Sequence, residues 1–252
     1  MTVTVLGAPG PTLAAAKAAT GLRVSVCIPA RNEATTVAGV VGSVVALAGP
    51  EPLVDEVVVV DDGSTDATAA VAGAAGARVV RRLGPPGKGM AMADGARAST
   101  GDIVVFLDAD VLNFGLHFVT ALVEPLLLDP ALVLVKGAYD RPTVGGAGGG
   151  RVTELLARPL LRRLVPELAF LRQPLAGEVA IRRPALAGLV LERGYGVEIG
   201  MLIDVARRYG AAAIAEVDLG ERIHRNRPLA DLAGQADEVL EAVLSRTGVA
   251  PA

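Results

Sequence analysis

The sequence contains no tryptophan, and aromatic residues make up only 3% of its 252 positions. It also lacks an excess of positive charge, because 24 lysines and arginines stand against 27 aspartates and glutamates, for a formal net charge of −3. A dedicated nucleic-acid-binding protein needs a basic surface, so we do not expect that class of function here.

Cysteine is almost absent as well. Cys27 is the single one in the chain, which excludes an intramolecular disulfide and is typical of a protein in the reducing cytoplasm. Because Cys27 stands in an apolar run, we expect it to pack in the core rather than to react. The sequence therefore predicts a cytoplasmic protein.

Long hydrophobic runs are missing too. The longest uncharged stretch, between Glu33 and Glu51, is shorter than a bilayer span and contains glycine and threonine, so it predicts a helix packed on a sheet. Residues 1–20 have no basic start and contain two prolines, which argues against a signal peptide. We predict a flexible leader over residues 1–20 and no membrane association.

What the first half does contain is an alternation of apolar runs and helical segments. The runs at 23–28, 56–60, 77–80 and 103–107 are rich in valine, isoleucine and other apolar residues. Strands that alternate with helices predict an α/β fold with a parallel, doubly wound sheet. Ligands of such sheets bind at the carboxyl ends of the strands.

Polar clusters follow three of these runs, at 31–33, 61–66 and 108–110. In the last cluster Asp108 and Asp110 are two residues apart, a spacing that directs both carboxylates to one side if the strand continues. Two such anions favour a hard cation such as Mg²⁺ or Mn²⁺, which can hold a diphosphate. The alternative is that one aspartate caps the next helix and the other is a solvated turn residue.

Two phosphate-binding motifs are incomplete. Residues 84–90 resemble a Walker A loop, but the spacing is too short and Met90 has no hydroxyl group. The first strand–helix turn has no Gly-x-Gly-x-x-Gly sequence, so a dinucleotide-binding Rossmann fold is disfavoured. Asp61 or Asp62 could accept hydrogen bonds from a uracil or a ribose, or could serve only as turn and cap residues, with Ser64 or Thr65 capping the next helix.

The second half contains two segments suited to anions. A glycine-rich run at 143–150 lies between Arg141 and Arg151, which is consistent either with a mobile lid over an anionic substrate or with a surface linker. Three arginines surround His224, and their charge suits a phosphate or a carboxylate. The last helical segment, at 229–246, is amphipathic and could pack on the core or on a second subunit.

Together these motifs resemble those of the glucosyl-3-phosphoglycerate synthase family, retaining glycosyltransferases of the GT-A type. The resemblance covers residues 24–246 and depends most on the Gly-Gly-Gly-Arg-Val-Thr-Glu run at 148–154 and the His-Arg-Asn-Arg-Pro run at 224–228. The other shared motifs are Pro-Ala-Arg-Asn-Glu at 29–33, Asp-Asp-Gly-Ser-Thr-Asp at 61–66, Gly-Lys-Gly at 87–89, Asp-Ala-Asp at 108–110 and Gly-Tyr-Gly-Val-Glu-Ile-Gly at 194–200.

The resemblance implies transfer of glucose from UDP-glucose to the 2-hydroxyl of 3-phosphoglycerate, with a divalent metal ion, by a homodimer. It implies a GT-A fold, in which a Rossmann-like, mostly parallel sheet is flanked by helices and followed by a C-terminal acceptor-binding part. We expect one compact unit with a nucleotide-sugar-binding part at 21–139 and an acceptor-binding and helical part at 140–252.

The resemblance also assigns roles to individual residues. Those that match nucleotide-binding positions are Pro29, Ala30, Arg31, Glu33, Asp62 and Lys88, with Asp108 and Ala109 along the ribose and diphosphate. Asp110 and His224 match the metal ligands. Gly150, Arg151, Thr153 and Asn226 match the acceptor site, to which we add Arg222 for its charge. Tyr195 and Glu198 match positions near the reacting groups, and Glu198 is expected to orient rather than to attack.

Three positions depart from the family pattern, which often has Leu in place of Arg31, Ser in place of Asp62 and Ser in place of Ala109. Arg31 and Asp62 lie where the base is expected, so a mannosyl-3-phosphoglycerate synthase that uses GDP-mannose is the nearest alternative. A nucleotidyltransferase is disfavoured because residues 29–33 are not a glycine- and arginine-rich loop. A catalytically silent nucleotide-sugar-binding protein is the non-enzyme alternative.

Overall fold

The structure is a computed structural model that describes residues 2–3, 11–50, 52–143, 146–148, 150–223 and 229–249. The strands within these residues are β1 Thr2–Val3, β2 Val24–Ala30, β3 Glu56–Asp61, β4 Arg78–Arg81, β5 Ile103–Phe106, β6 Leu134–Thr143, β7 Gly146–Gly148, β8 Val179–Arg182 and β9 Ile214–Glu221. The α-helices are α1 Pro11–Thr20, α2 Val37–Val45, α3 Thr68–Ala74, α4 Lys88–Ala98, α5 His117–Leu128, α6 Arg158–Leu164, α7 Arg183–Ala187, α8 Val197–Tyr209 and α9 Leu229–Thr247.

The strands form one mixed sheet in the order β1-β9-β6-β8-β5-β2-β3-β4, and β7 pairs with β6. Neighbours are parallel except where β8 lies antiparallel between β5 and β6, and where β7 lies antiparallel to β6. The predicted α/β fold, with a mostly parallel sheet flanked by helices, is therefore confirmed.

The central strands are largely apolar because helices cover both faces of the sheet. On one face, side chains of β2, β3 and β5 pack with those of α2 and α5. On the other face, the alternate side chains of the same strands pack with α4 and α8. Cys27 belongs to this second core and is fully buried, and burial raises the pKa of its thiol to about 12, as expected for an inert cysteine.

The predicted flexible leader is wrong for residues 11–20, which form helix α1. The segment is rich in alanine, and Pro11 occupies its first position, where the missing N–H costs nothing. The helix is anchored by the buried side chain of Leu13 and by Lys17, whose Nζ lies 2.7 Å from Oδ2 of Asp55.

Part of the glycine-rich segment is also more ordered than predicted. Residues Gly146–Gly148 pair antiparallel with the end of β6, so that Arg141 lies opposite Gly148. The hydrogen bonds of this pairing come from the backbone, so it does not depend on side chains that the glycines lack. Residues 144, 145 and 149 lie outside the described part of the chain, and a lid function for the segment stays a prediction.

Candidate active site

A cleft of about 1090 Å³ opens at the carboxyl ends of β2, β3 and β5 and is closed on its far side by α9. Its walls include every predicted site residue that the structure describes. These are Pro29, Ala30, Arg31, Glu33, Asp62, Lys88, Asp108, Ala109, Asp110, Gly150, Arg151, Thr153, Tyr195, Glu198 and Arg222. His224 and Asn226, predicted as a metal ligand and an acceptor ligand, lie outside the described residues.

Asn32 joins the two loops that follow β2 and β3. Its backbone N–H donates to Oγ of Ser64 at 3.0 Å, and its Oδ1 accepts from the N–H of Thr65 at 2.9 Å. Asn32 has a φ of 56°, a left-handed conformation that asparagine tolerates better than most residues. The prediction that Ser64 or Thr65 caps the next helix is wrong, because α3 begins only at Thr68.

Asp62 uses its carboxylate to fix the loop before α4. Its Oδ1 accepts from Arg82 NH1 at 2.8 Å, and its Oδ2 accepts from the N–H of Gly87 at 2.7 Å. Arg82 is held in turn by Asp94 at 3.0 Å. Asp62 thus lies in the wall of the cleft with both oxygens engaged by the protein, and nucleotide binding by Asp62 stays a prediction. We conclude that it orients the start of α4.

The glycines of the Gly-Lys-Gly motif are required by a close backbone contact. A Cβ atom on Gly87 would come within 2.6 Å of the carbonyl oxygen of Arg193, and one on Gly89 would overlap that of Glu192. The N–H of Met90 donates to the Arg193 carbonyl at 3.1 Å. The motif therefore places Lys88 against the segment that leads into α8.

Lys88 links the Asp-Ala-Asp turn after β5 to α8. Its Nζ lies 2.8 Å from Oδ1 of Asp108 and 2.6 Å from Oε1 of Glu198. Burial alone lowers the pKa of Lys88, but the charges of Asp108 and Glu198 outweigh it and hold that pKa well above its usual value. The ammonium group is therefore permanently charged and points into the cleft between two carboxylates.

Arg222 bridges both aspartates of the Asp-Ala-Asp motif. Its NH2 lies 2.9 Å from Oδ2 of Asp108 and 2.7 Å from Oδ1 of Asp110, and its NH1 donates to the hydroxyl of Tyr139 at 2.6 Å. Burial raises the pKa of Asp108, but the charges of Lys88 and Arg222 outweigh burial and hold that pKa far below its ordinary value. Asp108 is thus an anion fixed between two cations.

The spacing of the two aspartates has the predicted consequence, because both carboxylates reach the same guanidinium nitrogen. The alternative in which one of them caps a helix is wrong, since the next helix, α5, begins only at His117. Asp110 lines the cleft, and a quarter of its side chain is exposed. Its carboxylate suits a hard divalent cation.

The chain that leads toward His224 lies beside the Asp-Ala-Asp turn. The N–H of Leu112 donates to the carbonyl of Ile223 at 3.0 Å, and the N–H of Ile223 donates to Oδ1 of Asn113 at 2.8 Å. Within the described residues, no three histidine, cysteine or acidic side chains are grouped closely enough to hold a metal ion on their own. A divalent cation at Asp110 would therefore need further ligands from outside this described set.

The part of the cleft predicted to bind the acceptor is formed by the start of the helical segment after β7. Arg151 is exposed and lines the cleft, while Thr153 is buried in the π-helical turn Thr153–Ala157. A Cβ atom on Gly150 would lie 2.8 Å from NH1 of Arg141, the mobile end of a long side chain, so Gly150 and Arg141 are close neighbours. Together with Arg193, these arginines form a cationic wall.

Sequence reasoning missed several buried polar residues below the cleft. Lys136 and Glu178 are fully buried, and Tyr139 is 1% exposed. Burial lowers the pKa of Lys136 to about 8 and raises the pKa values of Glu178 and Tyr139. Lys136 stands among the apolar residues that begin β6, and this position could have indicated a buried charge. Glu178, just before β8, carried no comparable signal in the sequence.

The last helix, α9, packs on the core of this chain. This is one of the two predicted alternatives, the other being a contact with a second subunit. Val239 and Val243 are buried against α8, and the carboxylate of Glu238 accepts from the N–H of Tyr195. Leu232 and Gln235 face the cleft. No helix in the described part of the chain combines the length and the apolar character that crossing a bilayer requires.

The sequence matches the family described as Glycosyl transferase family 2 over residues 25–166. A glucosyl-3-phosphoglycerate synthase from Mycolicibacterium paratuberculosis is 48% identical over 257 aligned positions, which cover 96% of this chain and 78% of that protein.

Solved structures agree with this match. The crystal structure of glucosyl-3-phosphoglycerate synthase from Mycobacterium tuberculosis in complex with Mn²⁺, UDP-glucose and phosphoglyceric acid is 46% identical, with a TM-score of 0.90. A second structure of that enzyme, with Mn²⁺, UDP and glucosyl-3-phosphoglycerate, also gives 0.90 at 46% identity. The alignments cover all of this chain and 89% and 90% of those chains. This chain belongs to glycosyltransferase family 2 and, within it, to the glucosyl-3-phosphoglycerate synthases.

Proposed function

We propose that this chain transfers glucose from UDP-glucose to the 2-hydroxyl of 3-phosphoglycerate in a metal-dependent reaction. The observation that carries the proposal is that one cleft collects every described residue that the family assigns to the donor, the metal and the acceptor. Relatives with the same fold hold UDP-glucose, Mn²⁺ and phosphoglyceric acid.

For the donor, we assign the base and ribose to the loops after β2 and β3. Arg31 and Glu33 line this part of the cleft, and Asn32 holds the two loops together. The diphosphate is assigned to the cleft beside Lys88, whose permanent charge is supported by its two carboxylate partners. An ammonium group at that place stabilises the negative charge that the leaving UDP develops.

For the metal, we assign Asp110 and His224 as protein ligands. Support comes from the partly exposed carboxylate of Asp110 in the cleft and from Ile223, which is hydrogen-bonded beside the same turn. A bound Mn²⁺ or Mg²⁺ would act as a Lewis acid on the diphosphate of the donor. Arg222 keeps Asp108 and Asp110 on one side, so that the acidic pair faces the cleft as a unit.

For the acceptor, we assign the cationic wall. Arg151 lines the cleft across from the donor loops and can bind the phosphate or carboxylate of 3-phosphoglycerate. Gly150 and Thr153 set the backbone that carries it. Asn226 is proposed as a further ligand, and Arg222 as a residue that adds positive charge. Holding both substrates in one cleft makes the attack effectively intramolecular.

Retention of the anomeric configuration is proposed to proceed on the front face of the sugar. Glu198 is 2% exposed, and its Oε1 lies 2.6 Å from Nζ of Lys88. Because its negative charge is paired with this ammonium group, we do not assign Glu198 as the nucleophile. We assign Glu198 to the orientation of Lys88, with Tyr195 beside the reacting groups. A phosphate oxygen of the departing UDP then accepts the proton of the 2-hydroxyl.

The division into a donor part at 21–139 and an acceptor part at 140–252 is proposed on the same assignment of residues. A homodimer and a cytoplasmic location are proposed as well, the first on the family resemblance and the second on the single free thiol of Cys27. Sedimentation velocity of the purified chain tests the dimer.

The decisive experiment is a matrix of donors and acceptors, with MnCl₂ or with EDTA. The proposal predicts transfer only for UDP-glucose with 3-phosphoglycerate in the presence of the metal. Activity with GDP-mannose in place of UDP-glucose would identify the mannosyl enzyme instead. UDP-glucose binding without any transfer would leave a catalytically silent binding protein.

A further inference from the structure

Arg222 contacts one more acidic residue than the reaction requires. Through NH2 it holds Asp108 and Asp110, which belong to the donor and metal side of the cleft. Through its other terminal nitrogen, NH1, it lies 3.4 Å from Oε1 of Glu178. Glu178 is not in the wall of the cleft and has no role in the transfer proposed above.

Glu178 has unused capacity to accept hydrogen bonds. It lies just before β8 and is fully buried. Within the described part of the chain, neither of its carboxylate oxygens has a hydrogen-bond partner. An isolated buried carboxylate is costly, and a nearby cation is the usual compensation. Arg222, at 3.4 Å, is that cation.

The guanidinium group of Arg222 and a divalent cation would compete for the same carboxylate. Oδ1 of Asp110 lies 2.7 Å from Arg222 NH2, so a metal ion bound by Asp110 would sit next to a fixed positive charge. The metal ion and the guanidinium group, both positively charged and bound to the same carboxylate, would repel each other, and this repulsion lowers metal affinity. A negative group on the far side of the guanidinium reduces this repulsion.

We propose that Glu178 is a positioning residue that raises the affinity of the site for a divalent cation. It draws the guanidinium of Arg222 toward its own oxygens and so leaves the carboxylate of Asp110 to the metal. The planar guanidinium has five donors in a fixed fork, so NH1 can strengthen its contact with Glu178 while NH2 weakens its contact with Asp110. This inference rests on the proposed metal-dependent function.

The test measures how strongly Mn²⁺ promotes UDP binding. Isothermal titration calorimetry gives the Kd of UDP for the full-length protein in MnCl₂ and in EDTA. The Kd in EDTA divided by the Kd in MnCl₂ reports how much the metal increases UDP affinity. We expect the Glu178→Gln variant to reduce this ratio by about fivefold or more. Its UDP affinity in EDTA should equal that of the wild type, which a general loss of structure would not leave unchanged.

Glu216→Gln is the matched control. Glu216 is also buried, at 1% exposure, but accepts from the backbone of Arg172 and Gln173 and lies outside the wall of the cleft. Its ratio should match that of the wild type. If Glu178→Gln does not fold, Glu178→Asp replaces it. The shorter side chain keeps the negative charge but lies farther from Arg222, so its Kd ratio should fall between that of the wild type and the roughly fivefold reduced value.

The outcomes separate the two proposals. A wild-type ratio of one contradicts the metal dependence proposed for the transfer. A wild-type ratio above one that persists unchanged in the Glu178 variant overturns the role of Glu178 and leaves the transfer proposal intact. A reduced ratio in Glu216→Gln as well would show a general effect of buried charge, which also overturns the role of Glu178.

Discussion

Nζ of Lys88 lies 2.6 Å from Oε1 of Glu198, which joins the first residue of α4 to the first turn of α8. This ion pair connects the segment that is proposed to hold the donor diphosphate with the segment that is proposed to face the reacting sugar. Lys88 also contacts Asp108, so the three residues form one charged unit in which no carboxylate is left to act alone.

The ion pair predicts how a change at Glu198 affects the rate. Glu198→Gln should lower kcat by about 10- to 100-fold, because Lys88 loses one of the two anions that orient it. Steady-state kinetics with both substrates measure the loss. A positioning role further predicts that no glucosyl-enzyme accumulates and that azide does not rescue the variant. Detection of a covalent adduct on residue 198 by mass spectrometry would instead make Glu198 the nucleophile.

Asp110→Ala should lower the rate about a thousandfold, equivalent to ~4 kcal/mol of barrier, because the metal loses a protein ligand. Turnover with saturating MnCl₂ is the measurement. The exposed Asp218 serves as the control, since Asp218→Ala removes an acidic side chain outside the cleft. Wild-type turnover of the Asp110 variant would exclude that residue as a metal ligand.

Arg151→Ala should raise the KM for 3-phosphoglycerate by about tenfold or more and change the KM for UDP-glucose little, because one charge-assisted contact with an anion is worth 1.5–3 kcal/mol in general. Initial rates over a grid of both substrates separate the two values. Arg162 is exposed on α6 and outside the cleft, so Arg162→Ala is the control. Equal changes in both KM values would move Arg151 out of the acceptor site.

Asp62→Ser should destabilise the protein by about 2 kcal/mol and raise the KM for UDP-glucose, because Arg82 and the N–H of Gly87 both lose their acceptor. Urea unfolding and initial rates are the two measurements. Asp62→Asn keeps one acceptor oxygen and is expected to fall between serine and the wild type. An unchanged KM in the serine variant would show that the loop does not need Asp62 for its position.

Lys136 predicts a dependence of stability on pH. Burial lowers its pKa from 10.5 to about 8 in the folded protein. The folded-state value is the lower one, so stability rises with pH between about 8 and 10.5, where only the unfolded state still holds the proton, and the full penalty is present below about pH 8. At neutral pH the buried charge of Lys136 lowers the free energy of unfolding by about 3 kcal/mol. The hydrogen bond from Lys136 to the Ala176 carbonyl reduces this penalty.

The Lys136→Met variant tests this. It should be more stable than the wild type at pH 7, and the difference should shrink between pH 8 and pH 10.5. Urea unfolding at several pH values gives the free energy of unfolding of both proteins. A difference that stays constant across this range would mean that Lys136 does not titrate there.

Much of the fold could be predicted because its signals are local. Apolar runs in β2, β3 and β5 and the polar residues after them fixed both the sheet and its functional edge. Helix α1 was missed because residues 1–20 were assigned to a flexible leader, and the contact of Lys17 with Asp55 that anchors the helix is tertiary. The paired glycines of β7 were missed for a similar reason, since their hydrogen bonds come from the end of β6.

The site was predicted residue by residue from the family motifs, and the structure brings the described members of that set into one cleft. Contacts between motifs could not be predicted. Nothing local to Asp62 indicates Arg82 as its partner, and nothing local to Arg222 indicates Glu178. Such pairs depend on how distant elements pack, which a single sequence does not display.

The junction between residues 87–89 and the carbonyls of Glu192 and Arg193 limits how this enzyme can diversify. Because backbone lies directly against backbone here, any shift of the stretch before α8 would move residues 87–89, and with them Lys88. New acceptor preferences should therefore arise by exchanging side chains on the opposite rim, around Arg151, while the junction stays as it is.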